Sequence, residues 1–180
     1  MKVKSNISLW GKLLLLVLFM RGISAKCYAQ DVDYKAYTLF VYNFMKYVEW
    51  PEAQSKGDFV VGVYGDSPIQ KELQALDSQK KLKGRNIVVK VVTKPEDAAA
   101  CQLLYICSGK STVIKQLKDQ MKDKPVLLVG EREGLAKKGA SLSFVTLEDD
   151  ELKFDINKKE IETHQLKIAS SLLALGIVVN

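Results

Sequence analysis

Histidine, cysteine and proline are scarce in this chain: its 180 residues hold one, three and four of them. A single histidine, His164, cannot build a zinc or iron site, which takes three or four ligands in a fixed geometry. No Gly-x-Ser-x-Gly turn is present to expose a serine nucleophile, so a Ser-His relay lacks its first member. Lying between two expected C-terminal helices, His164 reads as a surface residue. We expect no metal, no catalytic residue and no cofactor.

Phosphate-binding signatures are also missing. Gly109-Lys110-Ser111 has the tail of a P-loop, but the glycine required five residues earlier is replaced by Leu104, inside an expected strand. Gly62-Val-Tyr-Gly65 stops short of the full dinucleotide fingerprint. Cys101 and Cys107 fall at the two ends of that same expected strand around Leu104. A strand of that length spans about 20 Å, whereas a disulfide needs Cα atoms within about 7 Å. No disulfide is expected.

The first 29 residues have the plan of a secretory signal peptide. Lys2, Lys4 and Lys12 precede an apolar run from Leu13 to Met20, and small residues follow. The run is too short for a membrane-spanning helix, which needs about 20 apolar residues. Cleavage after Ala29 places Cys27 and Ala29 at the small-residue positions; Ala25 is the alternative. Lys26 sits where lipid attachment to Cys27 would want a small residue. Five of the 27 basic residues (Lys2, Lys4, Lys12, Arg21, Lys26) and none of the 21 acidic ones lie in this leader. The remaining 22 against 21 is close to neutral, which removes the argument for nucleic acid as a partner.

Residues 30–180 are the right length for one domain. Asp58 to Gly65 is a nearly continuous apolar run, as in a strand buried on both faces. Ser67-Pro68 opens a helix to about Asp77, Gly84 breaks the chain, and Asn86 to Val92 is a β-branched strand. Pro95 starts a short helix to Ala100. Gln102–Cys107 is a strand, Ser111–Met121 an amphipathic helix and Val126–Val129 a buried strand. Ser141–Leu147 and Leu152–Ile156, joined by the acidic run Glu148-Asp-Asp-Glu151, predict an antiparallel hairpin at a sheet edge. Asn157 caps a helix to Thr163, and Leu166–Leu175 reads as a final apolar helix. The expected class is α/β: a three-layer, mostly parallel sheet flanked by helices, with a C-terminal antiparallel hairpin and a final helix.

Against this scarcity stands one concentration. Seven of the twelve aromatics beyond Ala29 fall between Tyr34 and Trp50. Tyr37, Phe40, Val41, Phe44, Tyr47 and Val48 share one face of a helix, which Trp50-Pro51 should end. The wording Tyr42-Asn-Phe-Met-Lys-Tyr-Val-Glu-Trp-Pro51 resembles the opening of the YfiR-like domain family. The likeness continues through Phe59-Val-Val-Gly-Val-Tyr-Gly-Asp-Ser-Pro68, Leu82-Lys-Gly-Arg-Asn-Ile-Val-Val89 and Cys101-Gln-Leu-Leu-Tyr-Ile106. Gly139 to Phe144, Phe154-Asp-Ile-Asn157 and Leu166-Lys-Ile-Ala-Ser-Ser-Leu-Leu173 complete it. Disulfides are frequent in that family. Cys101 matches a family cysteine, but no second cysteine is placed to meet it.

The resemblance implies a soluble periplasmic inhibitor that binds the sensor domain of an inner-membrane signalling enzyme, a diguanylate cyclase in the best-known case or a sensor kinase. Leu39 and Tyr42, on the polar side of the first helix, and Trp50 at its end are the partner-binding residues the sequence offers; a homodimer would use the same surface. A small-ligand receptor is the alternative. In open α/β sheets ligands lie beyond the carboxyl ends of strands, beside helix N-termini that favour anions. The turns there hold Asp66, Ser67, Ser108, Gly109, Lys110, Gly130 and Glu131, which suit a small carboxylate or phosphate ester.

Overall fold

The computed structural model describes residues 32–179; the expected signal peptide lies outside the described residues. The first element, α1 (Tyr34–Tyr47), begins at Asp33, whose carboxylate accepts hydrogen bonds from the amides of Lys35 and Ala36. A two-residue strand β1 (Val48–Glu49) follows, then β2 (Phe59–Tyr64), α2 (Ile69–Gln79), β3 (Lys81–Leu82) and β4 (Arg85–Val92). After a 3₁₀ turn at Pro95–Ala100 come β5 (Leu103–Ile106), a second 3₁₀ turn at Ser108–Val113, α3 (Ile114–Met121) and β6 (Leu127–Gly130). The chain closes with β7 (Leu142–Thr146), β8 (Leu152–Ile156), α4 (Lys158–Thr163), β9 (Lys167–Ile168), α5 (Ser170–Leu173) and β10 (Ile177–Val178).

Eight strands form one sheet in the order β10-β8-β7-β6-β5-β2-β4-β3. Its centre, β4-β2-β5-β6-β7, is parallel. Taken alone, these five strands have the order 2-1-3-4-5 of doubly wound folds. The α/β class and the mostly parallel sheet are as the sequence predicts.

Alternation along each strand assigns the side chains to two cores. Phe59, Val61 and Val63, with Leu103, Tyr105, Leu127 and Val129, face α1 and α2, where they meet Val41, Phe44, Met45, Ile69 and Leu73. Leu104, Ile106 and Leu128 face the opposite layer, where Ile114, Leu117 and Met121 of α3 pack with Ala98. Phe44 lies 4.9 Å edge-on to Phe154 and 5.9 Å from Phe144, so the aromatic face of α1 docks on the hairpin. The first helix and the last sheet strands are therefore one core, although a hundred residues separate them.

Four expectations are corrected. The first helix ends at Tyr47, because Val48 and Glu49 pair antiparallel with Ile168 and Lys167. The same pairing breaks the expected Leu166–Leu175 helix, of which only Ser170–Leu173 remains helical. The β7–β8 hairpin is present but is not the sheet edge, since β10 adds in parallel outside β8. His164 is not on the surface: it is fully buried, with Nδ1 2.6 Å from the carbonyl of Val126.

Candidate functional site

Two regions concern function: the outer side of α1 and the carboxyl edge of the sheet. On α1, Leu39 is 57% exposed. Tyr42, one turn further on, is half-buried. Its hydroxyl donates to the carbonyl of Lys81 at 3.4 Å, and the Lys80 ammonium lies 4.7 Å from its ring centre. Tyr42 thus ties α1 to the turn around β3, a role that its helical position alone does not reveal.

Below Tyr42 a groove of about 440 Å³ opens between the end of α1 and that turn. Met45, Val48, Phe59 and Leu82 give it an apolar floor, and Trp50 and Arg85 form walls. Trp50 is half-buried: its ring stands edge-on to Phe59 at 4.9 Å, and Nε1 donates to the carbonyl of Gln102 at 3.1 Å. Gln102 is itself fixed, accepting from the amide of Val60 and donating to Gln54. Arg85 donates to the carbonyls of Gly57 and Asp58 at 2.7 and 2.9 Å, and its guanidinium lies 5.3 Å from the Phe59 ring centre. The groove is therefore held open by side chains that already have partners. Leu39 and Tyr42 are carried by α1, and Trp50, just beyond β1, lines the groove itself. The groove residues Met45, Leu82 and Arg85 carry no recognisable binding pattern in the sequence; only the fold assembles them.

At the carboxyl edge, the strand order reverses between β2 and β5. One connection, through α2, packs on the α1 side of the sheet; the next, through Ala98, packs on the other. Ligands of doubly wound folds bind at such a switch point. Asp66 and Ser67 leave β2 there, Ser108, Gly109 and Lys110 leave β5, and Gly130 and Glu131 leave β6, so the turn residues singled out in the sequence follow three neighbouring strands.

The protein's own Glu131 occupies this position. One carboxylate oxygen accepts from the Tyr34 hydroxyl at 2.8 Å and the other from the amide of Ser108 at 2.9 Å. An anion entering at Ser108 would have to displace it. The surroundings are correspondingly unfriendly to new negative charge. Burial, and then the Glu131 and Asp66 carboxylates, push the Cys107 thiol up to about 12. Burial and Glu131 also raise the phenols of Tyr37 and Tyr105. Tyr105 is completely buried, and among the described residues its hydroxyl has no hydrogen-bond partner. Tyr34 and Tyr105, absent from the sequence-based candidates, are thus the residues that complete the crevice.

Cys101 and Cys107 are buried free thiols flanking β5. Burial raises Cys101 to about 11, so neither is an activated nucleophile. Among the described residues no cluster of three or more metal-ligating side chains occurs, and no helix is long and apolar enough to cross a membrane.

The sequence model of a family described as YfiR/HmsC-like matches residues 34–177. No curated protein matches the chain. A crystal structure of a conserved domain protein from Vibrio cholerae O1 biovar El Tor str. N16961 is 13% identical, with a TM-score of 0.51 over 82% of this chain and 60% of that one. A structure titled as an ABC domain in complex with L-Trp, from Streptococcus pneumonia, is 15% identical with a TM-score of 0.45, over 67% of this chain and 55% of that one. The first likeness is one of fold, and the second carries no argument.

Proposed function

The chain belongs to the YfiR/HmsC-like family, and we propose that it is an exported regulatory binding protein that inhibits a membrane-bound signalling enzyme. The target is the periplasmic sensor domain of an inner-membrane enzyme, a diguanylate cyclase in the first instance and a sensor kinase in the second. Inhibition is a population shift: the bound protein favours the inactive receptor by its differential affinity for the two receptor states. The family match over residues 34–177 carries this reading.

The groove at Trp50 supports a place for the contact. A preformed apolar recess beside a half-buried tryptophan, with Tyr42 and exposed Leu39 along the same helix, has the composition of an interface anchor. Leu39→Ala with Tyr42→Ala should leave the domain folded and weaken binding to the partner. Thermal unfolding and a binding assay on the double variant test this. A large loss of stability would make both side chains structural, and unchanged binding would make them ordinary surface.

A second reading, a small-ligand receptor signalling to a membrane sensor, draws support from the switch-point crevice and from the Tyr105 hydroxyl, which has no partner among the described residues. There the ligand would displace Glu131 from Ser108 and use the turns that carry Asp66, Ser67, Gly109, Lys110 and Gly130.

A further inference from the structure

The opposite face of the sheet has a different character. Between the start of α3 and the loop after β6 lies a cavity of about 420 Å³, within the range of small-molecule sites. Its floor is apolar, from buried Ile114 and Leu135, and its rim carries Lys115, Arg132 and Lys138 against one carboxylate, Glu133. Among the described residues none of these four charged side chains is in an ion pair. Ser111 also lines the cavity and is only 8% exposed.

Gly130 helps to build the floor. A Cβ there would stand 2.6 Å from Leu135 Cδ1 and 2.8 Å from Leu135 Cβ. Only glycine lets the loop fold back this closely over the end of β6, which sets Leu135 and the neighbouring Arg132 over the cavity.

We propose that this cavity is a binding site for a small phosphate monoester. The doubly charged phosphate would meet the Lys115, Arg132 and Lys138 cluster and take the Ser111 hydroxyl as a donor. The organic body would cover Ile114 and Leu135. Three unpaired cations are more than a single carboxylate requires, and the apolar floor leaves area that inorganic phosphate cannot cover. The site is distinct from the Glu131 crevice and from the Trp50 groove, so its failure would leave the partner-binding reading untouched.

Titration calorimetry on the purified chain with phenyl phosphate, inorganic phosphate and phenol tests the proposal, at about pH 8 so that the phosphates are dianionic. Phenyl phosphate should bind more tightly than inorganic phosphate, and phenol should not bind. The pair Lys115→Gln with Lys138→Gln should weaken binding at least about tenfold, since two charge-assisted contacts are lost. Ser111→Ala should weaken it roughly threefold or more, on the scale of one hydrogen bond. Lys115 and Lys138 are exposed and Ser111→Ala removes a single oxygen, so circular dichroism should show each variant folded. Lys90→Gln, on β4 and outside the cavity lining, should change nothing. Absence of phenyl phosphate binding at millimolar concentration, equal binding of phenol, or an equal loss caused by Lys90→Gln would overturn the proposal.

Discussion

Replacing Trp50 separates its two attachments. In Trp50→Phe the ring still packs on Phe59, and only the bond from Nε1 to the Gln102 carbonyl is lost. That carbonyl keeps the amide of Leu127 at 2.9 Å, so no buried acceptor is orphaned, and the cost should be about 1 kcal/mol. Trp50→Ala also removes the aromatic pair, about 0.5–1.5 kcal/mol. With it goes roughly 100 Å² of buried ring surface, at about 25 cal/mol per Å² another 2.5 kcal/mol. The total is about 4–5 kcal/mol. The groove is open to solvent, so no enclosed cavity is left to add to it. Urea unfolding followed by far-ultraviolet circular dichroism is the assay, because the variants lack the fluorophore. Equal losses for Phe and Ala would refute the packing argument; a loss below about 1 kcal/mol for Ala would mean that the ring is not docked.

Three further outcomes follow from the polar interior. Burial holds His164 below its ordinary value of 6.5 against the raising influence of the Val126 carbonyl and Glu160, so the unfolded chain takes up the proton first. Stability should be complete above about pH 6.5 and decline as the pH falls through that value; His164→Asn should flatten urea-unfolding stability in that window, and an unchanged profile would contradict the assignment. Glu131→Ala and Tyr34→Phe should each destabilise by about 1–2 kcal/mol, and a double-mutant cycle should show coupling of at least about 0.5 kcal/mol; strictly additive losses would deny the bond between them. With thiols raised to about 11 and about 12, Cys101 and Cys107 should resist alkylation at neutral pH in the folded protein and both label after unfolding without reductant; a mass two units below the reduced value would reveal a disulfide.

The elements legible in the sequence are those fixed by local pattern. Phe59–Tyr64 is an unbroken apolar run because both of its faces are covered, and Asn157 caps α4 by accepting from the Glu160 amide. The acidic run at Glu148 could only be a turn between two apolar strands. Where pairing partners are distant, the pattern misleads. Pro51 marks a stop for the first helix, but the stop comes three residues before Trp50 because β1 finds β9 across the fold. The segment from Leu166 is apolar enough for a helix, yet the same pairing and the β10–β8 pairing pull its two ends into strands. The site divides in the same way. The strand-end turns are visible as Gly, Ser and Asp clusters, whereas Glu131 reaching Ser108 and Leu82 reaching Trp50 depend on strand order, which no local signal contains.

The proposed role is restraint of a membrane enzyme through the α1 face. The direct measurement is the rate of cyclic di-GMP synthesis by membranes carrying the proposed partner diguanylate cyclase, with and without the added protein. The wild-type chain should suppress synthesis in a saturable way. A variant combining Leu39→Ala, Tyr42→Ala and Trp50→Phe, shown to be folded, should require at least about tenfold more protein for the same suppression, the loss expected when interface anchors are truncated. No suppression by the wild-type chain, or equal suppression by the folded variant, would contradict it.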